Sequence, residues 1–161
     1  MKKSILVIIA FILIVLPSIS LALILGPYTG HVIDSQTGES VEGASVLIYW
    51  KKRVPTLIEG HSELIKAELV YTDKDGRYDI KRFFANLGLL SSLESTQLII
   101  YQPGYQAYIV RVWHDSPYSK PDHSFKEKDN VVKLDRIPPN FDYKQHYEKI
   151  DDALRGIDVY L

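Results

Sequence analysis

The chain contains no cysteine among its 161 residues. This absence excludes a disulfide framework, and it excludes lipid attachment through a cysteine at the end of an export signal. A structural zinc site would lack thiolate ligands, and the five histidines include no His-x-His or His-x-x-x-His pair. We therefore expect a fold that is held by its hydrophobic core, with no metal site and no cofactor.

Clustered positive charge is also scarce. The 19 basic residues are balanced by 20 acidic residues, and the formal net charge is −1. Lys51, Lys52 and Arg53 form the only dense basic run, and a solvated strand end accounts for it. Nucleic-acid binding requires a clustered basic surface that displaces counterions. The composition therefore predicts no nucleic-acid partner.

Only one long apolar run is present, and it lies near the N-terminus. Residues 1–22 have the layout of an export signal, with lysines first, then the apolar run, then Ser20 and Ala22 at the positions that a signal peptidase reads. A membrane anchor over residues 4–25 is the alternative, since that length can cross a bilayer. Both interpretations predict an exported protein of the periplasm or cell envelope, which contacts the membrane only through residues 4–25 if the segment is retained.

Short strand-like segments alternate with turn-like segments after residue 27, a pattern typical of an antiparallel sandwich. β-branched and aromatic residues mark these segments, as in ASVLIYW at 44–50. The sequence predicts an all-β fold, a seven-stranded antiparallel β-sandwich over residues 28–137. The predicted strands are 28–34, 44–50, 66–72, 77–80, 97–102, 105–113 and 130–135.

Three long connections do not follow this rhythm of strands. Residues 51–65 form a long insertion with proline and glycine, and residues 116–128 form a polar loop. Residues 82–95 form a connection with a helical turn around 87–93. Long connections in a small domain are often the place where function resides.

The chain changes its period after two consecutive prolines, and residues 138–161 predict a C-terminal amphipathic helix. Asn140 or Asp142 can cap the start of this helix, and Gly156 lies near its end. We expect the apolar stripe of the helix to pack on the sandwich; a docking surface for a partner is the alternative.

The segment TDKDGRYDI at residues 72–80 fits two interpretations, a calcium loop and a tight turn between strands. An EF-hand loop needs oxygen ligands at positions 1, 3 and 5, glycine at position 6 and glutamate at position 12. Starting at Asp73 places Tyr78 at position 6. Setting Gly76 at position 6 places Arg82 at position 12. Both registers fail, so we interpret the segment as a turn in which Asp73 bonds the backbone and Gly76 takes a positive φ.

Three segments occur in the order GHVIDSQTGESVEGASV, TDKDGRYDI and PGY, the first beginning at Gly30 and the last at Pro103. Their order and spacing resemble the carboxypeptidase regulatory-like domain family over roughly residues 28–112. The resemblance implies a transthyretin-like β-sandwich that serves as an accessory or binding module rather than as a catalyst. The insertion at 51–65 and the tail after residue 137 lie outside the family pattern.

Aromatic residues provide the best candidates for binding, with 11 tyrosines and two tryptophans in the chain. Exposed rings give a large rigid contact area for a sugar or a protein partner. For Trp50, Tyr78 and Trp113 we expect a place in the core instead. The candidate binding residues are Tyr101, Tyr105, Tyr108, Tyr118, His61 and His114.

The expected function is a non-catalytic, exported binding or accessory module of the cell envelope that recognises a protein or a carbohydrate. A hydrolase or metal-dependent enzyme is the alternative, with a site around the loops 51–65 and 114–123. A structural envelope protein is the second alternative. Intradiol dioxygenases, which use a similar sandwich, hold iron with two tyrosines and two histidines, and this sequence shows no such clustered spacing.

Overall fold

A computed structural model of the protein describes residues 22–88, 90–114 and 128–158. These described residues form nine strands and one helix. The elements are β1 Ala22–Leu25, β2 Tyr28–Asp34, β3 Ser45–Val54, β4 His61–Tyr71, β5 Arg77–Ile80, β6 Phe83–Asn86, β7 Ser92–Tyr101, β8 Tyr108–Trp113, β9 Asn130–Leu134 and α1 Tyr143–Asp158.

The strands form a two-stranded sheet β1-β6, a three-stranded sheet β5-β2-β9 and a four-stranded sheet β4-β3-β7-β8. The two larger sheets enclose the main core, in which Ile48, Trp50, Ile80 and Ile100 are all fully buried. The prediction of an all-β sandwich is therefore confirmed. The strand count of seven was too low, because it omitted β1 and β6.

One strand pair contradicts the predicted antiparallel arrangement. Strand β9 pairs with β2 in parallel, from Gly30 opposite Asn130 to Asp34 opposite Leu134. A long connection separates β9 from β8, and such a crossover allows a strand to enter beside β2 in the same direction. The other strand pairs of the described residues are antiparallel.

The predicted insertion at 51–65 is wrong, because most of it belongs to two paired strands. Strand β3 continues to Val54, and β4 begins at His61, so only a short tip separates them. Lys52 forms an ion pair with Glu63 across this hairpin at 3.1 Å. The polar run that indicated a strand end is therefore the distal half of a strand.

The connection at 82–95 also differs from its prediction. Its described residues contain β6 and the first residues of β7 instead of a helical turn. Strand β6 pairs with β1, from Leu25 opposite Phe83 to Ala22 opposite Asn86. This pairing is a tertiary contact, which the local sequence pattern does not reveal.

The turn interpretation of residues 72–80 agrees with the structure. The carboxylate Oδ1 of Asp73 accepts the backbone amides of Asp75 and Arg77 at 2.9 and 2.8 Å. Gly76 has a φ of 69°, and a Cβ added there would lie 2.5 Å from the carbonyl oxygen of Val32. The aspartate and the glycine therefore set backbone geometry, as the turn requires.

The predicted C-terminal helix is confirmed over Tyr143–Asp158. Asp142 caps it, because its Oδ1 accepts the backbone amide of Gln145 at 3.0 Å. Ala153 lies in a second apolar cluster with Tyr49 of β3 and Ile99 of β7. The helix therefore packs on the face of the four-stranded sheet that points away from the main core, which we call the helix-side face.

The N-terminal predictions lie almost entirely outside the described residues. The part that the structure describes, Ala22–Leu25, is the strand β1. Within residues 22–88, 90–114 and 128–158, no helix has the length and apolar character needed to span a bilayer.

Candidate binding site

The predicted tyrosines do not form one surface. Tyr108 packs against the main core. Tyr101 follows Ile100 of that core along β7, so strand alternation places Tyr101 on the helix-side face. Tyr105 donates a hydrogen bond to the buried carboxylate of Asp34 at 2.9 Å. Tyr118 lies outside the described residues.

The two predicted histidines are also far apart. His61 begins β4, and its Nε2 lies 2.9 Å from Oε1 of Glu63. His114 follows β8, and its Nε2 lies 2.9 Å from Oγ1 of Thr96. Strands β4 and β8 are the opposite edges of the four-stranded sheet, and three strand spacings amount to about 14 Å. The structure therefore does not bring these two imidazoles together.

Asp34 is the centre of a complete polar network that joins three parts of the fold. Its Oδ1 accepts the backbone amides of Gln36 and Thr37 at 2.8 and 3.1 Å. Its Oδ2 accepts the Tyr105 hydroxyl and Nε of Arg136 at 2.9 and 2.6 Å. The Arg136 bond, followed by the Thr37 amide, holds the pKa of this carboxyl well below its usual range.

A second polar cluster lies along the central strand β7. Residues 94–97 are four consecutive polar residues, Glu-Ser-Thr-Gln, and each of them is buried. Buried polar groups on a strand are normally hydrogen-bonded, so this run should have partners on neighbouring strands or in a ligand. The register shows which side chains are available.

Two adjacent rows of residues cross the helix-side face of β3, β7 and β8. In the first row, Gln97 is opposite Tyr49 and Arg111. In the second row, Ser95 is opposite Lys51 and Trp113. Directly opposed residues point to the same face, and residues two apart on one strand share a face. The two rows therefore form one continuous surface.

The first row fastens the helix to the sheet. The Tyr49 hydroxyl lies 2.6 Å from Oε1 of Gln97 and 2.7 Å from the carbonyl oxygen of Ala153 in α1. Nε of Arg111 also donates to Oε1 of Gln97. Burial raises the pKa of the Tyr49 hydroxyl, so it stays a neutral hydrogen-bond donor.

Glu94 is less completely satisfied than this row. Its side chain is only 4% exposed, and its Oε1 contacts the Arg53 guanidinium at 3.0 Å. Its Oε2 is buried and has no hydrogen-bond partner among the described residues. An unsatisfied buried carboxylate oxygen is costly, so it indicates a place where a ligand can supply a donor.

A β-bulge explains how Glu94 reaches this position. Lys51 is opposite Ser95, but the next residue of β3, Lys52, is opposite Leu93. Glu94 is thus the extra residue of the bulge, without a directly opposed partner. Bulges turn a side chain away from the regular alternation, and they are frequent beside functional sites.

A groove of about 400 Å³ runs between α1 and β8 on the same face. Trp113 stands at this groove with 44% of its surface exposed, which contradicts its predicted place in the core. The Arg111 guanidinium stacks on the Trp113 ring at 5.4 Å from the centroid. The groove is lined by Gln97, Ile109, Arg111, Trp113, Lys149, Asp152 and Ala153.

We call Lys51, Glu94, Gln97, Arg111 and Trp113 the helix-side polar surface. Burial lowers the pKa of the Lys51 amine, and the positive charge of Arg111 lowers it further, while Glu94 opposes the change. Two cations are therefore held near each other on a partly desolvated surface. This arrangement favours an anionic group between them.

A larger depression of about 660 Å³ lies where β2, β5 and β9 meet the end of β4. Several of its polar groups already have partners in the protein. His31 contacts the Ser40 hydroxyl at 2.9 Å, Asp73 accepts turn amides, and Asp79 pairs with Lys81. This depression therefore offers fewer unsatisfied groups to a ligand than its size suggests.

Nε2 of His146 is also buried without a hydrogen-bond partner among the described residues. Its ring lies between Phe141 and Tyr147, with ring centroids 5.0 and 6.1 Å away. These aromatic neighbours give the site no charged group that would select a polar ligand. Glu94, by contrast, is surrounded by basic side chains.

The sequence did not identify the main residues of the helix-side polar surface. Glu94 and Ser95 were assigned to a connection, and Lys51 to an insertion. The available signal was the run of four polar residues directly before the apolar residues Leu98, Ile99 and Ile100. Such a run predicts a polar segment within a buried strand only if the strand is extended backwards across it.

No family model matches the chain, and no curated protein matches it. The resemblance to the carboxypeptidase regulatory-like domain family therefore stays a prediction. Among solved structures, the chain is similar to a streptococcal ancillary pilin, with 21% identity, a TM-score of 0.35, and coverage of 70% of this chain and 30% of the pilin.

The chain is also similar to two dioxygenase structures. A catechol 1,2-dioxygenase from an Acinetobacter species, inhibited by bound mercury, has 14% identity, a TM-score of 0.44 and coverage of 77% of this chain and 55% of that one. A 3-chlorocatechol 1,2-dioxygenase from Rhodococcus opacus has 16% identity, a TM-score of 0.41 and coverage of 72% and 60%. The chain thus spans between 30% and 60% of the lengths of these three proteins.

Proposed function

We propose that this protein is a non-catalytic, exported binding module of the cell envelope, and that it binds a carbohydrate on the helix-side polar surface. The observation that carries the proposal is the buried Oε2 of Glu94, which accepts no hydrogen bond from the described residues. A sugar hydroxyl is a donor of the right size and charge for this oxygen.

The neighbouring aromatic residue supports a sugar as the ligand. Trp113 presents an exposed ring at the groove beside α1, while Arg111 covers part of it. Aromatic rings provide rigid, amphipathic contact area for a ligand with one apolar side and one polar side. A sugar ring has this character, with C–H groups on its faces and hydroxyls at its edge.

The export signal predicted for residues 1–22 supports a location in the cell envelope. The family resemblance also implies a binding module rather than a catalyst. The alternative enzyme site around 51–65 and 114–123 has less support, because His61 and His114 lie on opposite edges of the sheet and each has a side-chain neighbour. Recognition of a protein and a structural role are treated as outcomes of the test.

The test is binding of the purified protein to an immobilised panel of bacterial cell-envelope glycans. We expect Glu94→Gln and Trp113→Ala to reduce binding by about tenfold or more, since each removes one direct contact. Matched controls are Glu42→Gln in an exposed turn and Tyr147→Ala on the exposed side of α1, which should leave binding unchanged.

Circular dichroism and melting curves establish that each variant is folded. If the folded protein binds no glycan, or if both site variants bind like the controls, the proposal is wrong. Capture of an envelope protein in place of a glycan, lost on Trp113→Ala, would assign the surface to a protein partner. Turnover of a glycan would restore the hydrolase alternative.

A further inference from the structure

We infer that the saccharide bound by the helix-side polar surface is acidic, with a carboxylate, phosphate or sulfate group held between Lys51 and Arg111. The inference rests on the proposed function, because it names the class of ligand for the same surface. It follows from the placement of the basic side chains relative to the two rows of the sheet.

Lys51 and Arg111 lie on the same face of the sheet, on strands that flank β7. They are separated by two strand spacings and one row, which places their Cα atoms about 12 Å apart. Both side chains are long enough to approach one group from its two sides. The space between their strands is occupied by β7, where Ser95 and Gln97 face the same side.

The groups facing this space carry an excess of positive charge. Lys51, Arg111 and Lys149 surround it, and Asp152 stands with Lys149 on the helix wall of the groove. Glu94 lies close to Lys51, but Arg53 at 3.0 Å balances its charge. An anionic group on the ligand would therefore reduce the repulsion between Lys51 and Arg111.

The same surface explains why the anion would belong to a sugar rather than to a free ion. Glu94 disfavours a small anion next to it, whereas its Oε2 can accept a hydroxyl of a larger ligand. Trp113 adds a ring face at the end of the second row. A ligand with hydroxyls, a stackable ring and one acidic group uses all three features.

The test uses matched pairs of oligosaccharides, each acidic member beside a neutral counterpart with the same backbone. The probes are a glucuronate oligomer and its carboxyl-reduced form, and a sialylated glycan and its desialylated form. We expect the preferred acidic glycan to bind about tenfold tighter than its neutral partner, with weaker binding as salt is raised. Calorimetry or biolayer interferometry measures both.

Lys51→Met should remove most of this preference, and Lys149→Met provides a second variant if the first one fails to fold. Lys133→Met is the matched control, because Lys133 is exposed on β9, in the other sheet. It should keep the preference within about twofold.

The outcomes separate the inference from the proposed function. Equal binding of acidic and neutral partners overturns the inference and leaves the glycan-binding function intact. A preference that Lys133→Met reduces as much as Lys51→Met does would reveal a general charge effect, and it also overturns the inference. Absence of any glycan binding overturns the proposed function itself.

Discussion

Asp34 and Glu94 are both buried carboxylates, each paired with an arginine whose side chain is about half exposed. Asp34 accepts four hydrogen bonds, two from backbone amides, one from Tyr105 and one from Arg136. Glu94 has one charged partner at Oε1, and its Oε2 accepts no bond from the described residues. The same chemical group is therefore saturated in one place and incomplete in the other.

The difference separates a carboxylate that stabilises the fold from one that is available to a ligand. Asp34 connects the end of β2 to the turn after it, to the β7–β8 connection and to the residues after β9. Glu94 lies at a bulge beside an exposed tryptophan and an unneutralised lysine-arginine pair. Binding sites commonly retain polar groups that the folded protein leaves unsatisfied.

Replacing Asp34 by asparagine should produce the largest loss of stability. The amide nitrogen would face either the two backbone amides or the Tyr105 and Arg136 donors, leaving buried donors without an acceptor. We expect Asp34→Asn to lower Tm by about 10 °C or more. The control Asp75→Asn changes an exposed carboxylate of a turn and should shift Tm little. Equal shifts for both variants would contradict the structural role.

Acid should reveal the same network in the wild-type protein. The folded-state pKa of Asp34 is lowered, first by Arg136, so its contribution to stability is present above the ordinary value of 3.8 and is lost as pH falls below it. We expect the Tm of the wild type to fall more steeply than that of Asp34→Asn below about pH 4. Glu63, whose pKa is also lowered, titrates in both proteins and cancels in the comparison. Parallel curves would contradict the assignment.

Removing Arg53 should have a smaller effect, and one that depends on Glu94. Arg53→Met leaves a buried carboxylate without its charged partner, and we expect a loss of about 1–2 kcal/mol because the half-exposed arginine is screened by water. Adding Glu94→Gln should recover most of this loss, since the uncompensated charge is then absent. Urea unfolding of the two single variants and the double variant measures the coupling. Simple additivity would argue against the pair.

Glu94→Gln alone should have the smallest effect on stability. It removes a buried charge that has an unsatisfied oxygen, and this gain offsets the weaker bond to Arg53. We expect the Tm to stay within about 2 °C of the wild type. Differential scanning calorimetry checks this value beside Asp34→Asn, and a large drop would mean that Glu94 supports the fold as Asp34 does.

The strands bounded by clear turn residues could be predicted from the sequence. The bounds 28–34 and 77–80 agree with β2 and β5, because glycine, proline and aspartate turns flank both segments. The ends of β3 and β4 were missed because their distal halves are stabilised by pairing and by the Lys52–Glu63 ion pair, which are contacts distant in sequence. The short pair β1 and β6 is tertiary in the same sense.

The candidate site depended on features that a single sequence does not fix. A bulge places Glu94 on the helix-side face, and only the pairing of β3 with β7 shows where the register shifts. Trp113 was expected in the core because large aromatic residues usually lie there. Register puts it opposite Ser95 on the helix-side face of the edge strand β8, where it stays exposed.

The most direct test of the account is a calorimetric titration of the preferred acidic glycan into wild-type protein and into the Glu94→Gln variant, with melting curves of both. The account predicts that Glu94→Gln keeps its Tm within about 2 °C and loses about tenfold or more in affinity. Unchanged affinity in a folded Glu94→Gln protein would contradict the claim that the incomplete carboxylate is the binding site.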